Sequence, residues 1–514
     1  MTLPDLLKQS HGILPELLLS LAICVVIFAD MASRLRHSRN VSGFVALAGV
    51  AAALAVVAAR LFSENSSLGS RTFGGMVRQD QIAVFFKIVF FLATIAVILF
   101  SLRSRETQGY RAGEYFALLL GAVLGACFLV SADNLIMFVL GLETLSICCY
   151  VLAGFLKHER ASAEASLKYM IYGAVASGVL FFGLSYLYGM SGTLSISEGC
   201  GFLSKLAATG RVAHLPIILV LLLILAGIGF KIAMVPFHFW CPDVYQGSPT
   251  PITAFLSVVS KAAGFGALLR ILLPFFSEVL PAGADGRLLS QQDLPILFGV
   301  LSVITMTFGN FVAIRQTDVK RLLAYSSIAH AGYLLMGLTV YNSAAIEAIL
   351  FYFFVYMIMN LGAFWIVIVL VNRVGSAEIS RFNGIAFKAP FLFSALFIFL
   401  ISLTGLPPTA GFVGKFMLFK VVVGAGLSNM NAAARITPMT AFYLLLALIG
   451  VLNSAVSLYY YMRIARAMAF EKAADDRPLG DDPLDRAYAA AFMVPAVALI
   501  YFAPILQLIA LAGL

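Results

Sequence analysis

The chain has 514 residues, of which 61% are hydrophobic and only 11% charged, against roughly 25% charged residues in an ordinary soluble domain. So few charges cannot cover a water-soluble protein of this length, and the apolar content excludes disorder and collagen-like repeats. The formal net charge of +9 arises from 34 Lys+Arg lying singly or in small groups between apolar runs, which is how topology signals are spaced in a polytopic membrane protein, not how a nucleic-acid surface is built.

An all-α membrane protein follows. The N-terminal stretch MTLPDLLKQSHG carries no basic n-region and no cleavage site, so the first apolar run is expected to stay as a helix. On a ruler of about 20 apolar residues per crossing, spans fall near 13–33, 41–62, 80–101, 112–131, 134–155, 164–188, 216–236, 251–275, 294–314, 321–341, 345–371, 390–423, 438–462 and 488–511, fourteen in all. The seventh runs into Pro236. The twelfth is too long for one straight helix, and TGLPPTAG (404–411) interrupts it with Pro407 and Pro408. Proline removes a backbone donor, so both are expected to be broken helices whose freed groups face protein or water.

Fourteen spans place both termini on one side. With the N-terminus outside, the inside loops hold 20 Lys+Arg and the outside loops 9, a bias that predicts periplasmic termini in a cell inner membrane. A shift of 184 residues carries the fourth, fifth and sixth spans onto the ninth, tenth and eleventh, and Lys231 onto Lys415. Five helices per unit is an odd number, so the two units are expected to be inverted, as in secondary transporters with ion sites at broken helices near the midplane. The expected organisation is a three-helix segment (1–111), a first five-helix unit (112–275), a second inverted unit (294–462) and a C-terminal loop with the last helix (463–514).

Four charges then stand out. Glu143, in MFVLGLETLSICCYVL, is the one carboxylate that the spans place deep in the bilayer; unpaired in lipid it would cost about 3 kcal/mol or more. Lys231 precedes the proline of the seventh span, Lys261 lies about ten residues into the eighth, and Lys415 follows the break in the twelfth. Burial lowers a lysine pKa and a nearby carboxylate raises it, so a Glu143–Lys231 pair that opens and closes can load and release a proton. Direct or one-water contact between these two is expected, and a polar line through Glu143, Lys231, Lys261 and Lys415 with His330 between the last two. Snorkelling to an interface is a weak reading for Lys261, a stronger one for Lys87 and strongest for Lys420, near a span end. His330, in AYSSIAHAGY, suits either packing or proton passage, and His238, in VPFHFW, either bonding of backbone freed by Pro236 or proton passage. Asp133, at a span boundary, reads as a solvated loop residue.

Other chemistry is missing from the pattern. No dinucleotide or phosphate-binding glycine motif, zinc spacing or haem histidine pair is present, and the six cysteines form no C-x-x-C, so neither disulfides nor iron–sulfur ligation is expected. Energy for transport must come from a gradient or from partner subunits.

The runs FKIAMVPFHFWCPDVYQGSPTPITAFLSVVSKAAGF (230–265), RLLAYSSIAHAGY (321–333) and LTGLPPTAGFVGKF (403–416) strongly resemble the antiporter-like membrane subunits of respiratory complex I. The PDVYQGSPTP and SSIAHAGY variants look like the N branch of that family, the counterpart of mitochondrial subunit 2, rather than the M and L branches. The resemblance implies fourteen helices, two inverted five-helix units and a proton channel driven by quinone reduction elsewhere in the complex. It places the family's ion pair on Glu143 and Lys231, its central lysine on Lys261 and its exit lysine on Lys415. NADH, FMN, iron–sulfur clusters and quinone would belong to partner chains; the partners would be other membrane-arm subunits and lipids, and no nucleic acid. The alternative within the same paralogous group is a subunit of a multisubunit cation/proton antiporter or a membrane-bound hydrogenase, and a purely structural membrane subunit is a further one.

Overall fold

A computed structural model describes residues 12–33, 39–61, 70–108, 111–209, 214–279, 293–429, 436–472 and 482–499. The last part of the fourteenth expected span (500–511) and the loop cations Lys8, Arg34, Arg36, Arg211, Arg287, Arg435 and Arg477 lie outside the described residues. The chain forms two compact units, one of residues 1–103, 107–232 and 247–290, the other of residues 104–106, 233–246 and 291–514.

In the first unit, α1 (Leu14–Ser33) packs on α2 (Arg39–Leu61). A hairpin of β1 (Ser70–Thr72) and β2 (Val77–Gln79) follows. Hydropathy gives no sign of it, because three-residue strands reading Ser-Arg-Thr and Val-Arg-Gln are too short and too polar to show apolar alternation. Its turn runs through Phe73, Gly74 and Gly75, all at positive φ, a conformation that two glycines adopt without a Cβ clash. Next comes α3 (Gln81–Arg103), buried on nearly every side, as expected of a helix apolar all round. Then follow α4 (Ala112–Ser131), α5 (Leu135–Ala153), α6 (Arg160–Ser191), α7 (Ile196–Thr209) and α8 (His214–Ile232). The unit ends with α10 (Thr250–Phe255), a π-helical turn (Leu256–Ser260) and α11 (Lys261–Val279), after α9 (Trp240–Gly247), which lies in the second unit except for its last residue.

The second unit continues with α12 (Asp293–Ala313), α13 (Val319–Gly337), α14 (Ser343–Val374), a 3-10 turn (Ile379–Phe382), α15 (Ile385–Lys388), α16 (Pro390–Thr404), α17 (Ala410–Ser428), α18 (Pro438–Phe470) and α19 (Pro483–Ala498). The expected break in span twelve is the gap between α16 and α17. The break after span seven is the non-helical stretch between α8 and α9.

The two units share local construction. Asn134 caps α5 and bridges to Ser195, just past α6; Asp318 caps α13 and bridges to Glu378, just past α14. Leu135 N donates to Leu194 O at 2.8 Å and Ile196 N to Asp133 O at 2.9 Å. In the other unit, Val319 N donates to Ala377 O and Ile379 N to Thr317 O, both at 2.9 Å. Both α6 and α14 are 32 residues long, and each ends on a left-handed glycine, Gly192 or Gly375. Helix crossings also correspond. A Cβ on Gly125 of α4 would come 2.4 Å from Leu145 N of α5, and one on Gly309 of α12 would come 2.7 Å from Ala329 N of α13.

Among the described residues, eleven helices are long and apolar enough to cross a membrane. The shorter apolar helices Pro216–Ile232 and Pro390–Thr404 are the first halves of the broken elements. The expected span at 321–341 is present as α13, but Ser326, Ser327, His330 and Tyr333 make its hydropathy too low to be recognised as a span by composition.

Candidate functional site

Glu143 sits on α5, half-buried, and its Oε1 has no hydrogen-bond partner among the described residues. One and two turns further along α5, Ser146 and Tyr150 continue its face, and Tyr150 packs edge-on against Tyr169 of α6 at 4.8 Å between ring centroids. Lys231, the next-to-last residue of α8, is 2% exposed. Its ammonium lies 5.8 Å from the Tyr169 ring centroid and 5.9 Å from that of Tyr150, within reach of a cation–π attraction. Nζ has no hydrogen-bond partner among the described residues. Glu143 is near enough for its charge to act on Lys231, but no direct ion pair joins them. The structure therefore departs from the direct-contact form of the expectation: the aromatic rings of Tyr150 and Tyr169 are what face the ammonium.

Lys261 is the first residue of α11, immediately after the π-helical turn, and is 2% exposed. Such a turn is a local irregularity of the backbone ladder, and it recurs at functional sites. Gly264 brings α11 onto the end of α8: a Cβ there would stand 2.8 Å from the Ile232 side chain and 3.1 Å from Lys231 Cβ. A larger residue would push apart the helix that carries Lys261 and the one that carries Lys231.

In the second unit, Lys415 donates to the Thr404 carbonyl at 2.8 Å and to Ser454 Oγ at 3.2 Å, and lies 4.3 Å from the Tyr333 ring centroid. Thr404 is the last residue of α16, so the helix break frees the carbonyl that holds the lysine. Gly405 makes room for it. Its φ is +85°, and a Cβ there would come 2.7 Å from Lys415 Cδ. Lys231 thus precedes its break and Lys415 follows its own.

Neutral polar residues, not among the expected site residues, extend this site. Ser454 Oγ donates to Tyr333 OH at 3.2 Å; Asn310 Nδ2 reaches Tyr333 OH at 3.5 Å and Asn453 Oδ1 at 3.1 Å, and Tyr460 OH donates to Asn310 Oδ1 at 3.0 Å. His330 is buried, with Nδ1 2.5 Å from Tyr352 OH and Nε2 3.3 Å from Tyr461 OH, and Tyr461 bonds Ser326. Asn453, Ser454, Ser457, Tyr460 and Tyr461 recur on α18 at helical spacing, which is the one signal that could have found this face. His238 lies against the rings of Phe239 and Phe308, 4.5 and 4.4 Å between centroids.

Two expectations are corrected. Lys87 does not snorkel: it is fully buried and pairs with Glu16 at 2.6 Å. Glu16, in the first turn of its helix and 1% exposed, is a buried carboxylate besides Glu143. Asp133 is buried, not solvated, and pairs with Arg71 at 2.8 Å; the hairpin folds over it, and Met76 O accepts from its backbone N–H at 3.0 Å. Lys420 is exposed.

Long apolar helices, two of them interrupted, with buried lysines beside the interruptions, define a multi-pass membrane protein of the ion-translocating class. The sequence profile of the NADH:quinone oxidoreductase/Mrp antiporter transmembrane family matches residues 132–442, and the chain belongs to that family. It is 44% identical to the NADH-quinone oxidoreductase subunit N of Anaeromyxobacter sp. (strain Fw109-5) over 90% of this chain and 88% of that one. A chain of respiratory complex I from Thermus thermophilus matches with a TM-score of 0.73 at 29% identity, over 96% of this chain and all of that one. A chain of the Mrp complex from Dietzia sp. DQ12-45-1b shares the fold, with a TM-score of 0.79 at 20% identity over 98% and 96% of the two chains.

Proposed function

We propose that this chain is a proton-translocating membrane subunit of an NADH:quinone oxidoreductase in the cell inner membrane. The observation that carries the reading is the Lys415 site, a buried ammonium held by the carbonyl of a broken helix and continued by a hydrogen-bonded Ser–Tyr–Asn network. The 44% identity to a subunit N supports the choice of complex, whereas the likeness to the Mrp complex extends to the fold alone. In this reading Glu143, Lys231 and Lys261 are the relay of the first unit. Lys415 is the centre of the second, with His330 on a tyrosine-lined face beside it and His238 a further proton-binding group.

Each lysine would hold a proton while a negative charge approaches and release it when that charge withdraws. NADH, FMN, iron–sulfur clusters and quinone belong to partner subunits, so this chain moves protons in response to their redox state. The paired clips, the two 32-residue helices and the glycine crossings, displaced by 183 or 184 residues, support two equivalent units. With five crossings per unit the units would be inverted, and with fourteen in all both termini would be periplasmic. Cysteines placed near the two ends should then react with an impermeant maleimide added outside intact cells; a protected C-terminus would overturn the count of fourteen.

The function is tested on the complex purified from native membranes through a tag on this chain. NADH:quinone reductase activity should copurify. In vesicles, Lys231→Ala should lower proton uptake per electron at least twofold, with electron transfer retained. Copurification with antiporter polypeptides and no NADH oxidation would overturn the assignment, and unchanged pumping in Lys231→Ala would overturn the role of the lysine.

A further inference from the structure

The first unit holds a second buried acid–lysine pair. Glu16 lies in the first turn of α1 and Lys87 in the second turn of α3, both side chains 1% exposed and 2.6 Å apart. Gln79 of β2, also buried, accepts from Lys87 Nζ through Oε1 at 2.9 Å. Arg60, at the end of α2, is close enough to act electrostatically on Glu16. Cys127 of α4 lies near both members of the pair.

Stability does not account for these charges. A buried ion pair is commonly no more stabilising than a neutral pair of the same shape, and is often worse. Nor is the pair needed to hold the hairpin. Asp80, the residue after Gln79, already takes a two-pronged contact from Arg270 of α11, and Arg71 of β1 is fixed to Asp133 and to Ser197 Oγ at 2.7 Å.

The site also has unused polar capacity. Glu16 Oε2 and Gln79 Nε2 have no hydrogen-bond partner among the described residues. Buried polar atoms in native folds are normally bonded to protein or to ordered water. Its position is suggestive in a second way. Helix α3 packs on α10, the π-helical turn and α11, the stretch that carries Lys261, and Phe86, next to Lys87, is met by Gly266 of α11. The pair is thus one helix away from the central lysine of its own unit, and close to the end of α1.

We propose that Glu16 and Lys87 form a further proton-exchange pair, linking the interior of the first unit to the aqueous surface at the N-terminal end of α1. In the exchange the Lys87 ammonium gives its proton to the Glu16 carboxylate, leaving a neutral amine and a neutral acid. The acid then releases the proton to water on the Arg60 side, and the amine takes one from the Lys261 side of α3. Within-pair transfer leaves the total charge at zero before and after, so it avoids the cost of carrying a lone charge through a low-dielectric interior.

The inference rests on the chain being a proton-translocating subunit, and the test separates the two. Lys87→Met, the double variant Glu16→Gln/Lys87→Met, and Lys231→Ala as reference are compared in the whole complex in vesicles. Protons and electrons are counted per assembled complex. The double variant removes both charges and keeps the volume, so a purely structural pair predicts assembly and pumping equal to the parent. The proposal predicts assembly equal to the parent, unchanged electron transfer and at least a twofold loss of protons per electron, with Glu16→Asp retaining pumping. Normal pumping by the double variant, with Lys231→Ala impaired, overturns the pair alone. Normal pumping in both overturns the reading beneath it.

Discussion

Gly309→Leu should reduce the folded chain in the membrane at least tenfold. At this crossing the backbones of α12 and α13 touch: the added Cβ would lie 2.7 Å from Ala329 N and 2.8 Å from Tyr325 O. Neither is the free end of a side chain, so relief requires two helices to separate along their length. Overpacking a tight interior costs about 1–3 kcal/mol even where side chains can adjust; here backbone meets backbone, and each further 1.4 kcal/mol, roughly, lowers the folding equilibrium constant tenfold. Gly424→Leu is the control, since nothing lies within 4 Å of a Cβ there. The amounts are read by immunoblot and by the fraction eluting as a single species from size-exclusion chromatography. Equal amounts of the two variants would show that α12 and α13 do not depend on the contact.

Lys415→Met should assemble and yet lower protons per electron at least twofold. Methionine fills the volume of the lysine stem but cannot donate to the Thr404 carbonyl or Ser454 Oγ. The freed carbonyl belongs to a helix end and accepts from water where water enters. What disappears is the group able to hold a proton at the end of the Ser454–Tyr333–Asn310 network. Tyr333→Phe keeps the ring over the lysine and removes the hydroxyl, so its loss should be smaller than that of Lys415→Met. Unchanged proton movement in Lys415→Met, with electron transfer intact, would remove the second unit from the transport path.

The helices and their two interruptions were legible because apolar length and proline each act locally. The lysines at positions 231, 261 and 415 were legible because a charge inside an apolar run costs too much to pass unnoticed. Glu16 was not, because an acid in the first turn of a helix is ordinary helix-end chemistry until Lys87 is seen beside it, 71 residues later in the chain. Asp133 was misread for a related reason: its partner Arg71 comes from a hairpin without a hydropathy signature. Tyr333, Tyr352, Tyr461, Ser454 and Asn310 escaped notice because hydroxyls and amides are common in packed helices, and only side-chain geometry distinguishes a network from isolated residues. The bridges Asn134–Ser195 and Asp318–Glu378 join segments about 60 residues apart, beyond the reach of any local pattern.

The 32-residue helix α6 is about 48 Å long at 1.5 Å per residue, while the hydrocarbon core of a bilayer is about 30 Å thick. Its charged first turns, Arg160, Glu164 and Lys168, with Lys168 and Glu164 joined at 2.7 Å, give way to an uncovered apolar face that includes Met170, Ile171, Val175 and Phe182 and ends at Tyr186 and Tyr188. From Lys168 to Tyr186 is about 27 Å of helix, close to the core thickness, with a cation at one edge and tyrosines at the other, the residues that favour membrane–water boundaries. With Lys168 and Tyr186 at the two boundaries, α6 would act as a depth gauge: its outer turns would reach the headgroup layer, and thinning or thickening of the bilayer would be met by tilt of α6 or by deformation of the lipid around it.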